Sequence, residues 1–125
     1  MDANFNRAKE GLRVCEDVCR FVLDARNLTK SYKTVRHCLS EIVTETGPEM
    51  IRARGIERDV GRKSATGEFN RKSIKDIFFA NSQRAKESIR VLEEFAKLRH
   101  KRHAERLKRL RYQVYALEKK VIERS

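Results

Sequence analysis

The chain has few residues that break helices: its 125 residues include one proline and five glycines. Such a composition suits long uninterrupted helices better than many short strands joined by turns. Apolar runs near the roughly 18 residues that would span a bilayer are also missing. The opening, MDANFNRAKEGLR, is polar and charged where a secretory signal would be apolar, so a cytoplasmic location and no membrane partner are expected. Three cysteines, an odd number, argue against a disulfide framework and fit a reduced compartment. Cys15 and Cys19 lie four apart on one helical face and read as small buried fillers. His37, His100 and His103 supply no zinc pattern.

What the chain holds in excess is positive charge. A formal net charge of +12 predicts an anionic partner: nucleic acid, an acidic membrane surface or a phosphorylated small molecule. Sign alone does not choose among them. Much of the excess falls in Arg99, Lys101, Arg102, Arg106, Lys108, Arg109 and Arg111, and a solvated helix face is the simpler reading of that run. Tyr112 and Tyr115 are the only aromatics there that could stack on bases, which disfavours nucleic acid.

A repeat organises the chain. Residues Ala3 to Val14 (ANFNRAKEGLRV) align without gaps on Ala80 to Val91 (ANSQRAKESIRV), with eight of twelve positions identical. Glu16 and Glu93 extend the match, and Leu12 to Ile89, Asp17 to Glu94 and Arg20 to Lys97 keep the chemistry. Each copy precedes a second amphipathic stretch: Leu28, Tyr32, Val35, Leu39 and Ile42 in one half, Ala104, Leu107, Val114 and Val121 in the other. The spacing predicts helices over roughly 2 to 25, 28 to 44, 73 to 99 and 101 to 122. Asn27 reads as a helix start, and Ser73 with Asp76 resembles a capping box. Two hairpins, each with an apolar stripe that it cannot cover alone, predict one all-α domain, a four-helix bundle with an approximate twofold axis. The stretch from about 45 to 72 is a long central crossover loop, either a functional segment or simply the connection such a bundle requires.

Polar residues interrupt the apolar faces in both copies. Asn4, Arg7 and Gly11 fall within the arc of Ala8, Leu12 and Cys15, and Asn81, Arg84 and Ser88 repeat the anomaly. Arg111 falls inside the arc of the last helix and Arg36 at the edge of the arc on the second. Inward guanidiniums need partners. One reading pairs Arg7 with Glu10 and Arg84 with Glu87 in a closed internal network. Another makes the arginines a fork-shaped clamp for phosphate oxygens, the carboxylates holding a metal ion or orienting the arginines. Spacing leaves both open. Arg13, Arg20 and Arg90 project away from the arc, toward solvent or a partner. Gly55 to Ser64 is not a Walker A motif, because five residues separate its glycines and Arg62 interrupts the Gly-Lys-Ser run. It reads as a basic loop with Asp59 as a candidate magnesium ligand.

Asp2 to Val14 with Glu16-Asp17 and Arg20-Phe21, then Arg36-His37, Asp59-Val60-Gly61 and Ala80 to Phe95, resembles the signature series of a small helical family over nearly the whole chain. Its members are domains fused ahead of thiamine phosphate synthase, and also standalone proteins. They are described as an alternative hydroxymethylpyrimidine phosphate kinase. The resemblance implies conversion of the pyrimidine monophosphate to its diphosphate with ATP and Mg²⁺, and thiamine phosphate synthase as a possible partner. On matching positions it implies Arg7, Arg84, Arg36 and Arg111 around phosphates, Asn4, Asn81, Gly61 and Lys63 toward substrate or nucleotide, and Glu10, Glu87 and Asp59 toward magnesium. Ser88 in place of Gly11 leaves the halves free to take different ligands, nucleotide in one and pyrimidine in the other. The competing expectation is a basic nucleic-acid-binding or regulatory bundle without catalysis.

Overall fold

A computed structural model describes residues 2–46 and 73–124. The expected loop, with Asp59, Gly61 and Lys63, lies outside the described residues. The described elements are α1 (Asp2–Asp17), continued by a π-helical turn (Val18–Val22), then α2 (Arg26–Thr46), α3 (Ile74–Ala96) and α4 (Lys101–Arg124). No strand occurs among the described residues, and none of the helices is long and apolar enough to cross a membrane.

The caps explain where these helices start. The hydroxyl of Ser73 accepts a hydrogen bond from the Asp76 amide, so α3 opens as its sequence signals. In α2 the start lies before Asn27, because the Thr29 amide already donates to the Ala25 carbonyl. The first long helix does not run on as α-helix to residue 25. The Leu23 amide reaches back five residues to the Val18 carbonyl, and Asp24 then turns the chain at φ 50°. A π turn accommodates one extra residue within a helix, and aspartate tolerates the left-handed region better than most side chains.

Packing follows the repeat. α1 lies on α3 and α2, and α4 closes the ring against α3 and α2. The direction of α3 against α1 can be read from two contacts. Gly11 faces Asn81 and Ala85, whereas Cys15, one turn further along α1, reaches back to the Phe78 carbonyl. The two copies are therefore antiparallel about a pseudo-dyad, with fully buried Ala8 and Ala85 near the crossing. Buried positions also correspond in the second helices: Tyr32, Val35, Leu39 and Ile42 match Leu107, Leu110, Val114 and Leu117. These side chains, with Leu12, Ile89 and Leu92, form one continuous core between the hairpins.

Candidate functional site

The buried ionic groups are not those that intrahelical spacing suggests. Glu10 and Glu87 are exposed, so they do not close an internal network. The buried carboxylates are Glu16 and Glu93, one repeat apart and 1% and 3% exposed. Each accepts a hydrogen bond at 3.0 Å from the Nε of an arginine on the helix that follows, Arg36 for Glu16 and Arg111 for Glu93. Sequence reasoning aligned both carboxylates and gave them no role. The usable signal was their place in the repeat together with an arginine inside the partner helix's apolar arc.

The rest of each cluster is duplicated as well. Arg13 and Arg20 pair with Asp17 in the first copy, while Arg90 and Lys97 pair with Glu94 in the second. Arg20 also bonds the second oxygen of Glu16 at 2.8 Å. Arg13, Arg20 and Arg90 thus combine substantial exposure with ion pairs on their own helix. Burial alone would push the Glu16 carboxyl up, but Arg36 and then Arg20 outweigh it and hold the group below its ordinary value.

Arg36 and Arg111 each donate a hydrogen bond through Nε among the described residues. Among the described residues, no hydrogen bond reaches an Nη group of either arginine. Their side chains are 12% and 11% exposed, and their Nη groups are not among the fully buried atoms that lack a partner, so part of each guanidinium stays open to solvent or a ligand. The Arg111 guanidinium also lies over the Tyr112 ring at 5.1 Å.

Arg7 and Arg84 are half-buried. The antiparallel register places both within about a turn of the pseudo-dyad, on facing helices. It also sets Glu10 level with Arg84 and Glu87 level with Arg7, across the helix pair. Asn4 and Asn81 belong to the same interface; Asn81 is buried and its side-chain amide donates to the Ile77 carbonyl. The fold therefore gathers Asn4, Arg7, Asn81 and Arg84 at the centre and sends Arg36 and Arg111 to opposite ends. From Phe78, level with Cys15, to Glu93 is fifteen residues of helix, or about 22 Å. Among the described residues no group of three or more His, Cys, Asp or Glu gathers as for a metal ion.

The α4 basic run is partly committed inside the molecule. Arg106 and His103 both contact Glu45 of α2, and Arg111 is held by Glu93. Lys86 is buried against Glu118 at 2.6 Å, with its ammonium 4.3 Å from the centre of the Tyr115 ring. Its repeat mate Lys9 is exposed. The two halves thus share their Glu/Arg anchors and differ around them.

The chain is 42% identical over 119 residues to a thiamine-phosphate synthase of Nostoc punctiforme, covering 94% of this chain and 33% of that protein. It is 40% identical over 119 residues to that of a Synechocystis species, covering 94% of this chain and 34% of that protein. The corresponding synthase of Rhodopirellula baltica is 36% identical over 118 residues, covering 93% of this chain and 32% of that protein. The chain spans about a third of the length of the curated relatives that it matches. No solved structure matches it. The family model for ThiD2 matches residues 1–120, and the chain accordingly belongs to the ThiD2 family.

Proposed function

We propose that this chain acts in thiamine biosynthesis as a kinase, phosphorylating hydroxymethylpyrimidine monophosphate to the diphosphate with a nucleoside triphosphate such as ATP. The carrying observation is the pair of arginines, Arg36 and Arg111, each fixed through Nε by a buried carboxylate and each with Nη groups that no hydrogen bond from the described residues engages. A guanidinium held in place through its Nε edge can present its other donors to an anionic oxygen ligand, and phosphate fits them in a bidentate manner. The resemblance of the duplicated motif to hydroxymethylpyrimidine phosphate kinases and the synthase relatives favour the thiamine precursor as the anion.

The chemistry asks little of the protein beyond placement and charge. An oxygen of the acceptor phosphate attacks the terminal phosphorus of the donor, the bond from that phosphorus to the bridging oxygen breaks, and a nucleoside diphosphate leaves. The attacking oxygen is already ionised, so no general base is needed. Arginine forks neutralise the oxygens of both partners and hold them in line. Arg7 and Arg84, with Asn4 and Asn81, are the groups between the two ends that would orient the acceptor. Bound Mg²⁺ would neutralise phosphate charge, with Glu10 and Glu87, level with Arg84 and Arg7, as its candidate carboxylates. Acceptor and donor must touch, and Arg36 and Arg111 are too far apart to serve one transfer together. In this reading one half is the reacting half, in place of the expectation that each half takes one reactant.

A coupled assay for nucleoside diphosphate release from the pyrimidine monophosphate, with mass detection of the diphosphate product, tests this reading. Arg7→Ala and Arg84→Ala should abolish turnover and retain helical circular dichroism. Folded protein without turnover across several nucleotides and divalent metals would remove the proposal.

A further inference from the structure

The corner between α1 and α2 differs from its counterpart between α3 and α4. Glu16 and Arg36 are 20 residues apart, whereas Glu93 and Arg111 are 18 apart, although each pair makes the same bond. The first half therefore carries two extra residues at its corner. They lie where the helix widens into the π turn and Asp24 adopts its positive φ. In the second half α3 ends at Ala96 without such a turn.

This enlarged corner contains a cleft of about 450 Å³, lined by Arg20, Asp24, Ala25, Arg26, Thr29, Lys30 and Lys33. That volume lies within the roughly 300 to 1,000 Å³ of small-ligand sites. Four of the lining residues are cations and one is a carboxylate. Counting from the matched arginines, the second corner has Lys101 for Arg26, Ala104 for Thr29, Glu105 for Lys30 and Lys108 for Lys33. Lys97 there stands for Arg20, and Arg99 and Arg102 add further cations, so the second corner is no less basic; what sets the first apart, among the described residues, is the two-residue enlargement and the positive-φ turn that open its cleft. The cleft also adjoins the buried cluster: Arg20 lines it and grips one oxygen of Glu16, while Arg36 grips the other. Lys33 is three residues before Arg36 on the same side of α2. Arg20 and Lys33 therefore join the open corner to the Glu16–Arg36 pair.

We infer that this cleft binds a polyphosphate chain, namely the tail of the nucleoside triphosphate donor, with Arg20, Arg26, Lys30 and Lys33 along it and Arg36 behind its inner end. The first half is then the reacting half. The donor's identity rests on the function proposed above; affinity of the cleft for polyphosphate does not.

Isothermal titration calorimetry of the full chain with inorganic tripolyphosphate separates the two. Binding should weaken with added salt. Lys30→Glu combined with Lys33→Glu should reduce affinity by about tenfold or more per lysine, the worth of a lost charge-assisted hydrogen bond. The matching change at the second corner, Lys101→Glu with Lys108→Glu, alters net charge equally and should leave affinity within about threefold, as distant surface charges are screened. All four lysines are exposed, so both double variants should fold. No binding at low salt, equal loss in both variants, or binding of a single-stranded oligonucleotide but not of tripolyphosphate would overturn the cleft. Tripolyphosphate binding lost only in the first variant, with no kinase turnover in the parent, would keep the cleft and discard the kinase. Turnover whose nucleotide KM ignores the first variant would do the reverse.

Discussion

The carbonyl oxygen of Asn81 lies 2.7 Å from the point where a Cβ on Gly11 would stand, so α1 and α3 meet backbone to side-chain position with no room between them. The obstacle is main chain and cannot rotate aside. Gly11→Ala should therefore force the helices apart. Alanine returns about 1 kcal/mol of helix propensity, but overpacking costs roughly 1–3 kcal/mol, so a net loss of about 1 kcal/mol is expected. At the repeat mate, Ser88 is buried and its hydroxyl has no partner among the described residues. Ser88→Ala should be neutral or stabilising by up to about 1 kcal/mol. Urea midpoints of the two variants should move in opposite directions, or only the Gly11 variant should move.

Glu16 supplies the counter-charge for two arginines, one of them largely buried. Glu16→Gln keeps the shape and removes the charge, which should cost about 3 kcal/mol by urea unfolding at pH 7. The pH dependence has a definite sign. Because the folded-state carboxyl is held below its ordinary value of 4.5, its contribution is complete above that value. It is lost as pH falls through the lower folded-state value. The stability gap between parent and Glu16→Gln should thus be constant from pH 7 to about 5 and close progressively below about 4.5. A gap that widened in acid would refute the pairing.

Much of this fold was legible because repetition and periodicity reinforce each other. Eight identities between Ala3–Val14 and Ala80–Val91 placed α1 and α3, and Ser73 gave the start of α3 to the residue. The end of the first helix was not legible, since Val18 to Leu23 continues the apolar pattern and a π turn has no composition of its own. At the site, Arg36 and Arg111 stood out against apolar arcs. Their partners did not, because Glu16 and Glu93 are contacted across helices, and a one-dimensional reading favours neighbours at i+3 such as Glu10 and Glu87. The cationic corner escaped for a related reason: Arg20, Arg26, Lys30 and Lys33 are spread over an ordinary surface sequence until the chain turns at Asp24.

Thiol reactivity should follow burial. Cys15 and Cys19 are fully buried and Cys38 only partly. Burial, with the neighbouring Cys19, pushes the Cys15 thiol far up; burial also raises Cys19 to about 11. Thiolate is the reactive form, so neither should react at pH 8 in the folded state. Iodoacetamide labelling followed by mass spectrometry should find Cys38 modified first, with Cys15 and Cys19 labelled only on unfolding. Rapid native labelling of Cys15 would mean that the α1–α3 seam opens.

The two anchored arginines should respond unequally to one conservative change. Lysine in place of arginine keeps a charge, but it has no Nε edge for the carboxylate and no fork for phosphate. Arg36→Lys disrupts a group that stands behind the corner cleft. Its kcat/KM should fall about 100-fold, the scale of one lost donor at developing charge. Arg111→Lys loosens the same bond to Glu93, beside the corner that lacks the two-residue enlargement. It should cost roughly 1–2 kcal/mol of stability and change kcat/KM by no more than about threefold. The physical basis is separation: groups about 22 Å apart along the bundle cannot stabilise one transferring phosphoryl group. Kinetics and urea midpoints on both variants decide the matter. Equal catalytic losses would place part of the reaction at the second end, and a loss confined to Arg111→Lys would move it there altogether.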